Sequence, residues 1–454
     1  MTHRFKNRFF VVAICLFLAT ILSTCSLQDT REASEFREAT QIVLDWNRLL
    51  LDLEWHTPGY RPPVSARMFA YAEMAAYEAS LPAMDGYISM ETQFPGYQKP
   101  VGSPPDYYLP AALNAAYAQI ARAFFHTTSG ELKQKIESLE LRHVHSIPPS
   151  VETLSINASI DFGKKAAVAV WKYSISDTLG HDGFMYNYDK NYALKLKLGC
   201  WRPEEERPIP PLLPHWGGVR SFVVNAAEVK IKPPIAFDES APSTFYSEAM
   251  EVFSISNSIS SKEQWIAEFW SDDVPGFTIS PAGRWISIAN QAISTSNLTF
   301  PEVIETYLKL AISLSDVAII CWNGKYQYQL ERPETFIRRN IRPGWSPLHN
   351  SPIFPSYPSG HASLGGAAAE VLTQALGEGF SMTDRTHLGR NEFQGKPRTF
   401  KSFYDMASEN AYSRLLNGVH FRMDCEEGLR LGKIVGKRIA AISLRKAAAE
   451  SIRH

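Results

Sequence analysis

The sequence has almost no net charge and few residues of the kinds that mark disordered chains. Its 454 residues contain 46 Lys and Arg against 47 Asp and Glu, which gives a formal net charge of -1. Such a balance, without a basic stripe, lacks the electrostatic footprint of a nucleic-acid-binding protein. Hydrophobic residues make up 45% of the chain and charged residues only 20%. This composition excludes an intrinsically disordered protein and predicts a globular one.

Long apolar runs are missing beyond the N-terminus, so no transmembrane domain is predicted. At the N-terminus, Arg4, Lys6 and Arg8 precede an apolar run over residues 9–22. A basic segment followed by a short apolar segment is typical of a secretory signal peptide. We therefore predict that residues 1–24 form a signal peptide.

The apolar run ends in Leu-Ser-Thr-Cys25, which resembles a bacterial lipobox. This predicts an exported lipoprotein that faces the periplasm or the cell surface and touches the membrane only through a lipid on Cys25. The alternative is cleavage and simple secretion. Residues 25–36 are polar and predict a tether.

Cysteine is scarce in the rest of the chain. Only Cys200, Cys321 and Cys425 remain after the signal peptide and the anchor. Three cysteines are too few for a disulfide framework. Either one disulfide with one free thiol, or three free thiols, would fit this number. The spacing matches no zinc site.

Helical periodicity dominates the remaining chain, whereas strand-like alternation is scarce. The pattern predicts an all-α fold of packed helical bundles with long irregular connections. We divide it into an N-terminal helical region, 37–240, and a C-terminal helical region, 241–454. A Pro-rich passage over residues 180–242 lacks periodicity. The predicted helices are Ala39–Leu53, Val64–Ser80, Tyr107–His126, Ser129–Leu141, Ile156–Ser176, Thr244–Ser260, Lys262–Phe269, Gly283–Ser296, Pro301–Lys325, Ser363–Leu376, Tyr404–Asn417 and Arg422–Ala448.

Three segments in the last third of the chain are rich in residues that bind anions. In the first, Lys325 and Arg332 are seven residues apart and are followed by Pro333. On one helix, this spacing of two turns would place both cations on the same face. Taken alone, such a pair is more typical of a solvated surface.

The second segment reads Pro-Ser359-Gly360-His361 and leads into a run of small residues. A Ser-Gly turn that opens a helix offers backbone N–H groups and the positive end of the helix dipole to an oxyanion. The glycine would let the anion approach the backbone. An ordinary helix cap is the simpler alternative.

The third segment contains Arg414, His420 and Asp424. The four-residue spacing of the last two would let the carboxylate accept a hydrogen bond from the imidazole and fix its tautomer. Gly418 would end one helix just before His420. A surface ion pair is again the alternative for this segment alone.

Together the three segments provide fixed positive charges from Lys325, Arg332 and Arg414, neutral donors, and two histidines. Such a set suits an oxyanion with several charged oxygens, namely phosphate or vanadate. One histidine could bond to the central atom, while the other could carry a proton.

The patterns Lys-x6-Arg-Pro, Pro-Ser-Gly-His and Ser-Arg-x5-His-x3-Asp, in this order, resemble the superfamily of vanadium-dependent haloperoxidases and type 2 phosphatidic-acid phosphatases. Segments 66–71 and 269–273, with Trp285, are also similar to soluble bacterial haloperoxidase-type members. The resemblance implies two packed four-helix bundles. It also implies an enzyme that uses vanadate as its cofactor and hydrogen peroxide and halide as substrates.

The resemblance assigns roles residue by residue. His420 would be the axial vanadium ligand, His361 the acid–base residue, and Asp424 the residue that orients His420. Asp273 would pair with Arg414 from outside the first shell of ligands. The oxygens of vanadate, or of phosphate in the same site, would be held by Lys325, Arg332, Ser359, Gly360 and Arg414.

Aromatic residues favour the haloperoxidase branch. In similar haloperoxidases, a Trp and a Phe at the positions of Trp322 and Phe354 line the halide side of the pocket. We therefore expect oxidation of halide, iodide before bromide, to hypohalous acid. Trp322, Phe354 and Tyr357 could instead be core aromatics.

Two further alternatives remain open at this stage. A secreted acid phosphatase would use His420 as the nucleophile and His361 to protonate the leaving alcohol. A surface lipoprotein could bind oxyanions without turnover. The sequence gives no indication of the oligomeric state.

Overall fold

The computed structural model describes residues 32–203, 208–272, 278–390 and 395–446. The predicted signal peptide, Cys25 and Asp273 lie outside these residues. Within them the chain forms fourteen α-helices and one two-stranded antiparallel sheet. These are α1 (32–56), α2 (Pro62–Ser80), α3 (Leu109–Phe124), α4 (Gly130–His145), α5 (Thr153–Ile175), α6 (Thr178–His181), α7 (Thr244–Asn257), α8 (Ser261–Phe269), α9 (Pro281–Ser294), α10 (Phe300–Tyr328), α11 (Pro333–Asn340), α12 (Gly360–Leu376), β1 (Met382–Asp384), β2 (Arg398–Phe400), α13 (Phe403–Leu416) and α14 (Arg422–Ala440).

Local sequence explains where many of these helices begin. Ser243 and Ser280 each accept a hydrogen bond from a backbone N–H in the first turn, of α7 and α9 respectively. Ser260 forms a capping box with Glu263 at the start of α8. Serine caps of this kind satisfy N–H groups that have no partner within the helix. Proline occupies the first turn of α2, α3, α9, α10 and α11, where its missing N–H costs nothing.

The 29-residue helix α10 joins the two halves of the molecule. It packs against α2, which lies with α3 and α5, and also against α12 and α14, which lie with α13. One hydrophobic core therefore includes Trp46 and Tyr77 from the N-terminal half together with Trp285 and Leu372 from the C-terminal half.

The predicted all-α fold is confirmed. In the described ranges, none of the helices combines the length and the hydropathy that a bilayer span needs.

Three glycines let α14 approach α12 closely. A Cβ atom on Gly428, Gly432 or Gly436 would lie 2.7, 2.3 or 2.6 Å from the carbonyl oxygens of Ser359, Ser363 and Ala367, respectively. No side chain can be placed at those distances without moving one backbone away from the other. This contact fixes the first turn of α12 relative to the first turn of α14.

The Pro-rich passage is irregular, as predicted, and it is held by buried polar contacts. Asp316 of α10 accepts hydrogen bonds from the backbone N–H groups of Phe222, Val223 and Val224, each at 2.8 Å. Glu427 of α14 accepts from the N–H of Lys232 at 2.8 Å. Short 3-10 turns interrupt the described connections at Leu81–Ala83, Met90–Thr92, Asp182–Phe184, Trp216–Gly218 and Ala226–Glu228.

Several predictions need correction. Helix α10 ends at Tyr328, because Gln329 adopts the left-handed conformation with φ of 53°. Lys325 and Arg332 therefore do not share a helix face, since Arg332 instead precedes α11. Neither α11 nor the β1–β2 hairpin was predicted. Of the predicted tether, the structure describes residues 32–36, and these are helical. Cys200, Cys321 and Cys425 are free thiols.

Candidate active site

The three predicted anion-binding segments meet at one cavity of about 390 Å³. Gly360, His361, Arg414 and His420 line its inner end. The loop between α11 and α12, residues 341–359, forms one wall. The first turn of α12 and the α13–α14 connection are held together by the glycine contacts described above. Residues that are distant in sequence are thus fixed around one space.

His420 lies in the connection between α13 and α14 and is 3% exposed. Its Nδ1 is 2.9 Å from Oδ2 of Asp424, and its Nε2 is 3.1 Å from a terminal nitrogen of Arg332. A guanidinium can only donate, so Nε2 is the acceptor and Nδ1 carries the hydrogen. The predicted hydrogen bond to Asp424 is therefore present, and the lone pair on Nε2 accepts the hydrogen bond from Arg332.

Asp424 is completely buried and receives two further hydrogen bonds that the motifs did not reveal. Ser356 donates from its hydroxyl to Oδ2 at 2.5 Å, and the N–H of Phe421 donates to the same oxygen at 3.1 Å. Burial raises the pKa of Asp424 to about 7, whereas Ser356, Lys325 and Arg332 act in the opposite direction. The contacts with His420, Ser356 and Phe421 are all made by Oδ2, and together they hold the carboxylate where it can orient His420.

Two of the predicted cations lie behind the wall of the cavity. Lys325 is 0% exposed, and its Nζ donates to the carbonyl oxygens of Pro355, Ser356 and Pro358 at 3.0, 2.9 and 2.6 Å. Arg332 donates to the carbonyl oxygens of Phe354 at 3.0 Å and of Val419 at 2.9 Å. These bonds fix the loop between α11 and α12, and they hold two cationic side chains near His420.

Arg414 is the cation that lines the cavity. It donates from Nε to the hydroxyl of Ser413 at 3.0 Å and from a terminal nitrogen to the carbonyl oxygen of Trp270. The predicted partner Asp273 is outside the described residues. Next to it in sequence, buried Asp272 forms an ion pair with buried Arg284 at 3.1 Å.

The support behind Trp270 was missed by the sequence reasoning. Arg284 also pairs with Asp384 of β1 at 2.9 Å, and its guanidinium lies 4.8 Å from the ring of Trp270. All of the charged atoms in this cluster are buried. Loss of one ion would therefore leave its partner as an uncompensated buried charge, which is strongly destabilising. No sequence pattern identified the hairpin, and therefore none could have placed Asp384 here.

His361 is in the first turn of α12, lines the cavity and is 7% exposed. Within the described part of the chain, its Nε2 has no hydrogen-bond partner. Burial lowers its pKa well below the usual value, and Arg414, Lys325 and Arg332 act in the same direction. The imidazole therefore stays neutral at neutral pH and can accept a proton. The same causes, with burial first, lower the pKa of His420.

Ser359 caps α12 by accepting from the N–H of Ala362 at 3.4 Å. Gly360 follows it, and a Cβ there would lie 3.6 Å from the ring of Trp322. The predicted helix start is thus present, with its N–H groups at the inner end of the cavity. Such a helix terminus attracts anions.

An aromatic pair forms another wall. The rings of Trp322 and Phe354 are 5.1 Å apart between centroids and are almost fully buried. The Nζ of Lys325 lies 5.0 Å from the centre of the Phe354 ring. Tyr357 is different, because its hydroxyl donates to the carbonyl of Lys232 and its ring packs against Tyr328. Trp322 and Phe354 therefore line the cavity, whereas Tyr357 is a core aromatic.

The donors at the inner end fit a tetrahedral oxyanion. They combine the Nε2 lone pair of His420, the guanidinium of Arg414 and the N-terminus of α12, with two more buried cations behind them. Positive charge fixed on buried side chains around a cavity strongly favours a multiply charged anion.

Comparisons with known proteins agree with this geometry. Residues 305–448 match the family model for the second helical-bundle domain of VCPO. The vanadium-dependent bromoperoxidase of Ascophyllum nodosum is 36% identical over 110 residues, which is 22% of this chain and 20% of that protein. The vanadium chloroperoxidase of Curvularia inaequalis is 23% identical over 180 residues, 29% of this chain and 30% of that protein. The matched segments thus span less than a third of either relative.

Solved structures are similar over much more of the chain. The crystal structure of the first bacterial vanadium-dependent iodoperoxidase has a TM-score of 0.78 and 29% identity, and it covers 88% of this chain and 95% of that one. A holo-type bacterial vanadium-dependent chloroperoxidase has a TM-score of 0.67 at 17% identity, over 85% of this chain and 92% of that one, which shows the shared fold.

Proposed function

Because the chain belongs to the superfamily of vanadium-dependent haloperoxidases and type 2 phosphatidic-acid phosphatases, we propose that it is a vanadate-dependent haloperoxidase. In this proposal it oxidises iodide, and bromide more slowly, with hydrogen peroxide to hypohalous acid. The observation that carries the proposal is the buried pair of Trp322 and Phe354 beside His420 and His361, at the end of the cavity that suits an oxyanion.

Bound vanadate would supply a Lewis acid that activates peroxide without a change in oxidation state. His420 is suited to hold it, because Asp424 fixes the hydrogen on Nδ1 and so keeps a lone pair on Nε2. This lone pair would have to exchange the hydrogen bond from Arg332 for the cofactor. Arg414 and the N-terminus of α12 would bind its oxygens. Lys325 and Arg332 contribute charge from behind, and Lys325 would have to exchange one carbonyl partner to contact an oxygen directly.

His361 is the residue suited to move the proton. Peroxide must lose a proton as it binds, and Nε2 of His361, which has no hydrogen-bond partner among the described residues, is a neutral base in the same cavity. Because burial and nearby cations disfavour imidazolium, the proton would be passed on readily rather than retained. A histidine in this state can act in both directions of proton transfer.

The aromatic pair supports the choice of halide. Iodide is large, polarisable and weakly hydrated, so it loses least when it moves from water to the apolar part of the cavity that Trp322 and Phe354 line. The similar bacterial iodoperoxidase structure, at 29% identity over 88% of this chain, supports the same choice.

We also propose that the protein is exported and anchored by a lipid on Cys25. The basic and apolar residues before Cys25 support this. In cell fractionation, the parent chain should accompany the membrane, whereas Cys25→Ala should be recovered with the soluble exported proteins. Recovery of both in one fraction would contradict the anchor.

The central test uses the purified chain after removal of phosphate. The protein is incubated with orthovanadate, and peroxide-dependent oxidation of iodide, bromide and chloride is followed in turn. We expect iodide to be oxidised fastest, and His420→Ala to lose at least about a hundredfold in rate.

A parallel sample without vanadate receives an aryl phosphate. Hydrolysis without any halide oxidation would replace the proposal by an acid phosphatase, which would use the same His420 lone pair as a nucleophile. Failure of both assays, with orthovanadate still bound, would favour an oxyanion-binding lipoprotein.

A further inference from the structure

Three lysines lie on the exposed side of α5, and none of them lines the cavity of the candidate active site. Lys164, Lys165 and Lys172 take part in no ion pair within the described part of the chain. Val168 and Ile175, which are 37% and 40% exposed, continue the same spacing of three or four residues. Residues at that spacing share one side of a helix. We call these five residues the lysine face of α5.

A second cavity, of about 660 Å³, lies between the lysine face and the loop of residues 96–100. This loop contributes Lys99, which is exposed and forms an ion pair with Glu91 at 3.3 Å. Among the described residues that line the cavity, Asp161 is the only carboxylate beside four lysines. Such an excess of positive charge around one space attracts anions.

Exposed apolar side chains flank the lysines. Leu154, in the first turn of α5 and on the same side of the helix, is 80% exposed. Val101 follows the loop and is 89% exposed, and Leu179, just beyond the end of α5, is 42% exposed. Single exposed apolar residues are common on proteins. Their combination with lysines along one helix is typical of a surface that lies in the headgroup layer of a bilayer.

The start of α1 is connected to the same helix. Glu38 of α1 accepts a hydrogen bond from the hydroxyl of Tyr108, and the N–H of Tyr108 donates to the hydroxyl of Ser159 in α5, both at 2.8 Å. The first lysine of the lysine face follows Ser159 by five residues, about 7.5 Å along the helix. Cys25 precedes residue 32, where the description of α1 begins, by seven residues, which span at most about 25 Å. A lipid on Cys25 would therefore bring a bilayer within reach of the lysine face.

We propose that the lysine face of α5 binds the surface of a bilayer that contains anionic phospholipids. The ammonium groups would pair with lipid phosphates, while Val168 and Ile175 would enter the headgroup layer. Attraction of basic side chains to an anionic surface adds to the attachment that a lipid provides. The inference rests on the proposed anchor, because the anchor keeps the chain at the membrane. The two attachments together would hold the protein in one orientation on the bilayer.

The first test labels lysines on the full parent chain. The protein is mixed with vesicles of phosphatidylcholine and phosphatidylglycerol in equal parts, or of phosphatidylcholine alone, and is acetylated with a water-soluble reagent. Mass spectrometry gives the rate of acetylation of each lysine. We expect Lys164, Lys165 and Lys172 to react at least about threefold more slowly on the anionic vesicles, because lipid covers them. The exposed Lys262 and Lys401 should react equally fast on both, and equal behaviour of all five lysines would overturn the inference.

The second test measures sedimentation with the same vesicles and needs no lipid on the protein. All proteins compared carry Cys25→Ala and share residues 1–31, so a difference between them arises in the folded part of the chain. The variant Lys164→Gln/Lys165→Gln/Lys172→Gln should bind anionic vesicles at least about tenfold more weakly than Cys25→Ala itself.

The matched control is Lys262→Gln/Lys396→Gln/Lys401→Gln. It removes the same charge from exposed lysines that do not line the cavity beside α5, and it should bind the vesicles as tightly as Cys25→Ala. Equal binding of the two triple variants would overturn the inference. If the α5 variant loses affinity for soluble polyphosphate but not for the vesicles, the lysine face binds a soluble polyanion instead of a membrane.

The inference and the anchor proposal fail separately. Fractionation of Cys25→Ala tests the anchor, and its failure leaves the difference between the two triple variants unaffected. If fractionation supports the anchor but the triple variants bind vesicles equally, the anchor stands and the role of the lysine face is wrong.

Discussion

Ser356 connects the loop between α11 and α12 to the carboxyl group that orients His420. It precedes the Pro-Ser-Gly-His segment by two positions and has no distinctive neighbour in sequence. Its role depends on the hydroxyl reaching Asp424, which lies 68 residues later in the chain. The histidine–carboxylate pair could be predicted because its spacing is local. Ser356 could not, because its contact depends on how two distant helices pack.

Removal of the Asp424 carboxylate should weaken the site without touching the bound anion. In Asp424→Ala, Nδ1 of His420 loses its acceptor, so the hydrogen is free to move to Nε2 and the lone pair is lost. We expect the affinity for orthovanadate to fall about 10- to 100-fold. Titration of phosphate-free protein with orthovanadate, followed by iodide oxidation, measures this.

The control for that variant is Glu426→Gln, an exposed position on the same helix. It should keep the parent affinity. An unchanged affinity in Asp424→Ala would mean that Arg332 alone fixes the tautomer of His420.

His361 should titrate below the usual range of histidine. Its pKa is lowered first by burial and then by Arg414. In the chain without vanadate, NMR of the imidazole should give a midpoint well below pH 6.5. Replacement of a nearby cation removes one of the lowering influences, so the midpoint should rise in Arg414→Gln. A midpoint at or above 6.5 in the parent would show that water reaches the ring.

At the scale of elements, the helices themselves were the most predictable feature. Apolar periodicity over α10 and α12 was strong enough to place both helices within a few residues. The end of α10 was not predictable, because the left-handed residue that ends it is Gln329 and not a glycine, which is the residue that usually marks such a position. No helix was predicted after Pro333, although this proline occupies the first turn of α11.

The α12–α14 contact should tolerate no side chain at Gly432. A Cβ there would lie 2.3 Å from the carbonyl oxygen of Ser363 and 2.7 Å from the N atom of Ala367. Gly432→Ala should therefore lower the free energy of unfolding by about 1–3 kcal/mol and weaken orthovanadate binding. Denaturant unfolding gives the first quantity. Lys437→Ala, exposed on the same helix, should leave it unchanged, and equal stability of both variants would contradict the close contact.

The Pro-rich passage should loosen when Asp316 is removed. In Asp316→Ala, two buried N–H groups and one half-buried N–H group lose their acceptor, at about 1–3 kcal/mol for each buried group. We expect a loss of at least about 3 kcal/mol and new proteolytic cleavage around residues 220–226. The exposed Glu228→Gln on the same passage is the control, and a cleavage pattern like that of the parent would show that other contacts hold the passage.

At the scale of the whole molecule, buried acids make stability depend on pH. Burial raises the pKa values of Glu54, Glu73 and Glu78 from 4.5 to about 7. The folded chain therefore binds more protons than the unfolded chain between these values. The stabilisation is fully present below pH 4.5 and is lost as the pH rises through 7.

Glu73→Gln should remove part of this dependence. The amide oxygen can still accept the hydrogen bond that Tyr117 donates to Glu73 at 2.8 Å, but it cannot ionise. Relative to the parent, the variant should gain about 3 kcal/mol of unfolding free energy between pH 4 and pH 8. Denaturant unfolding at both pH values measures this. The exposed Glu137→Gln should follow the parent, and a Glu73→Gln variant that does the same would show that the acid is hydrated.

The walls of the cavity come from stretches that are far apart in the chain. Arg61 and Pro62 begin α2, Tyr188 and Ile209 belong to the Pro-rich passage, and the inner end comes from the C-terminal half. The segment that matches the family model, 305–448, contains none of those four residues. The residues suited to the chemistry and the residues that line the outer walls of the cavity therefore lie on separate stretches of sequence. Exchange of the Pro-rich passage for that of a relative should change which molecules enter the cavity. The chemistry of the inner end should stay the same.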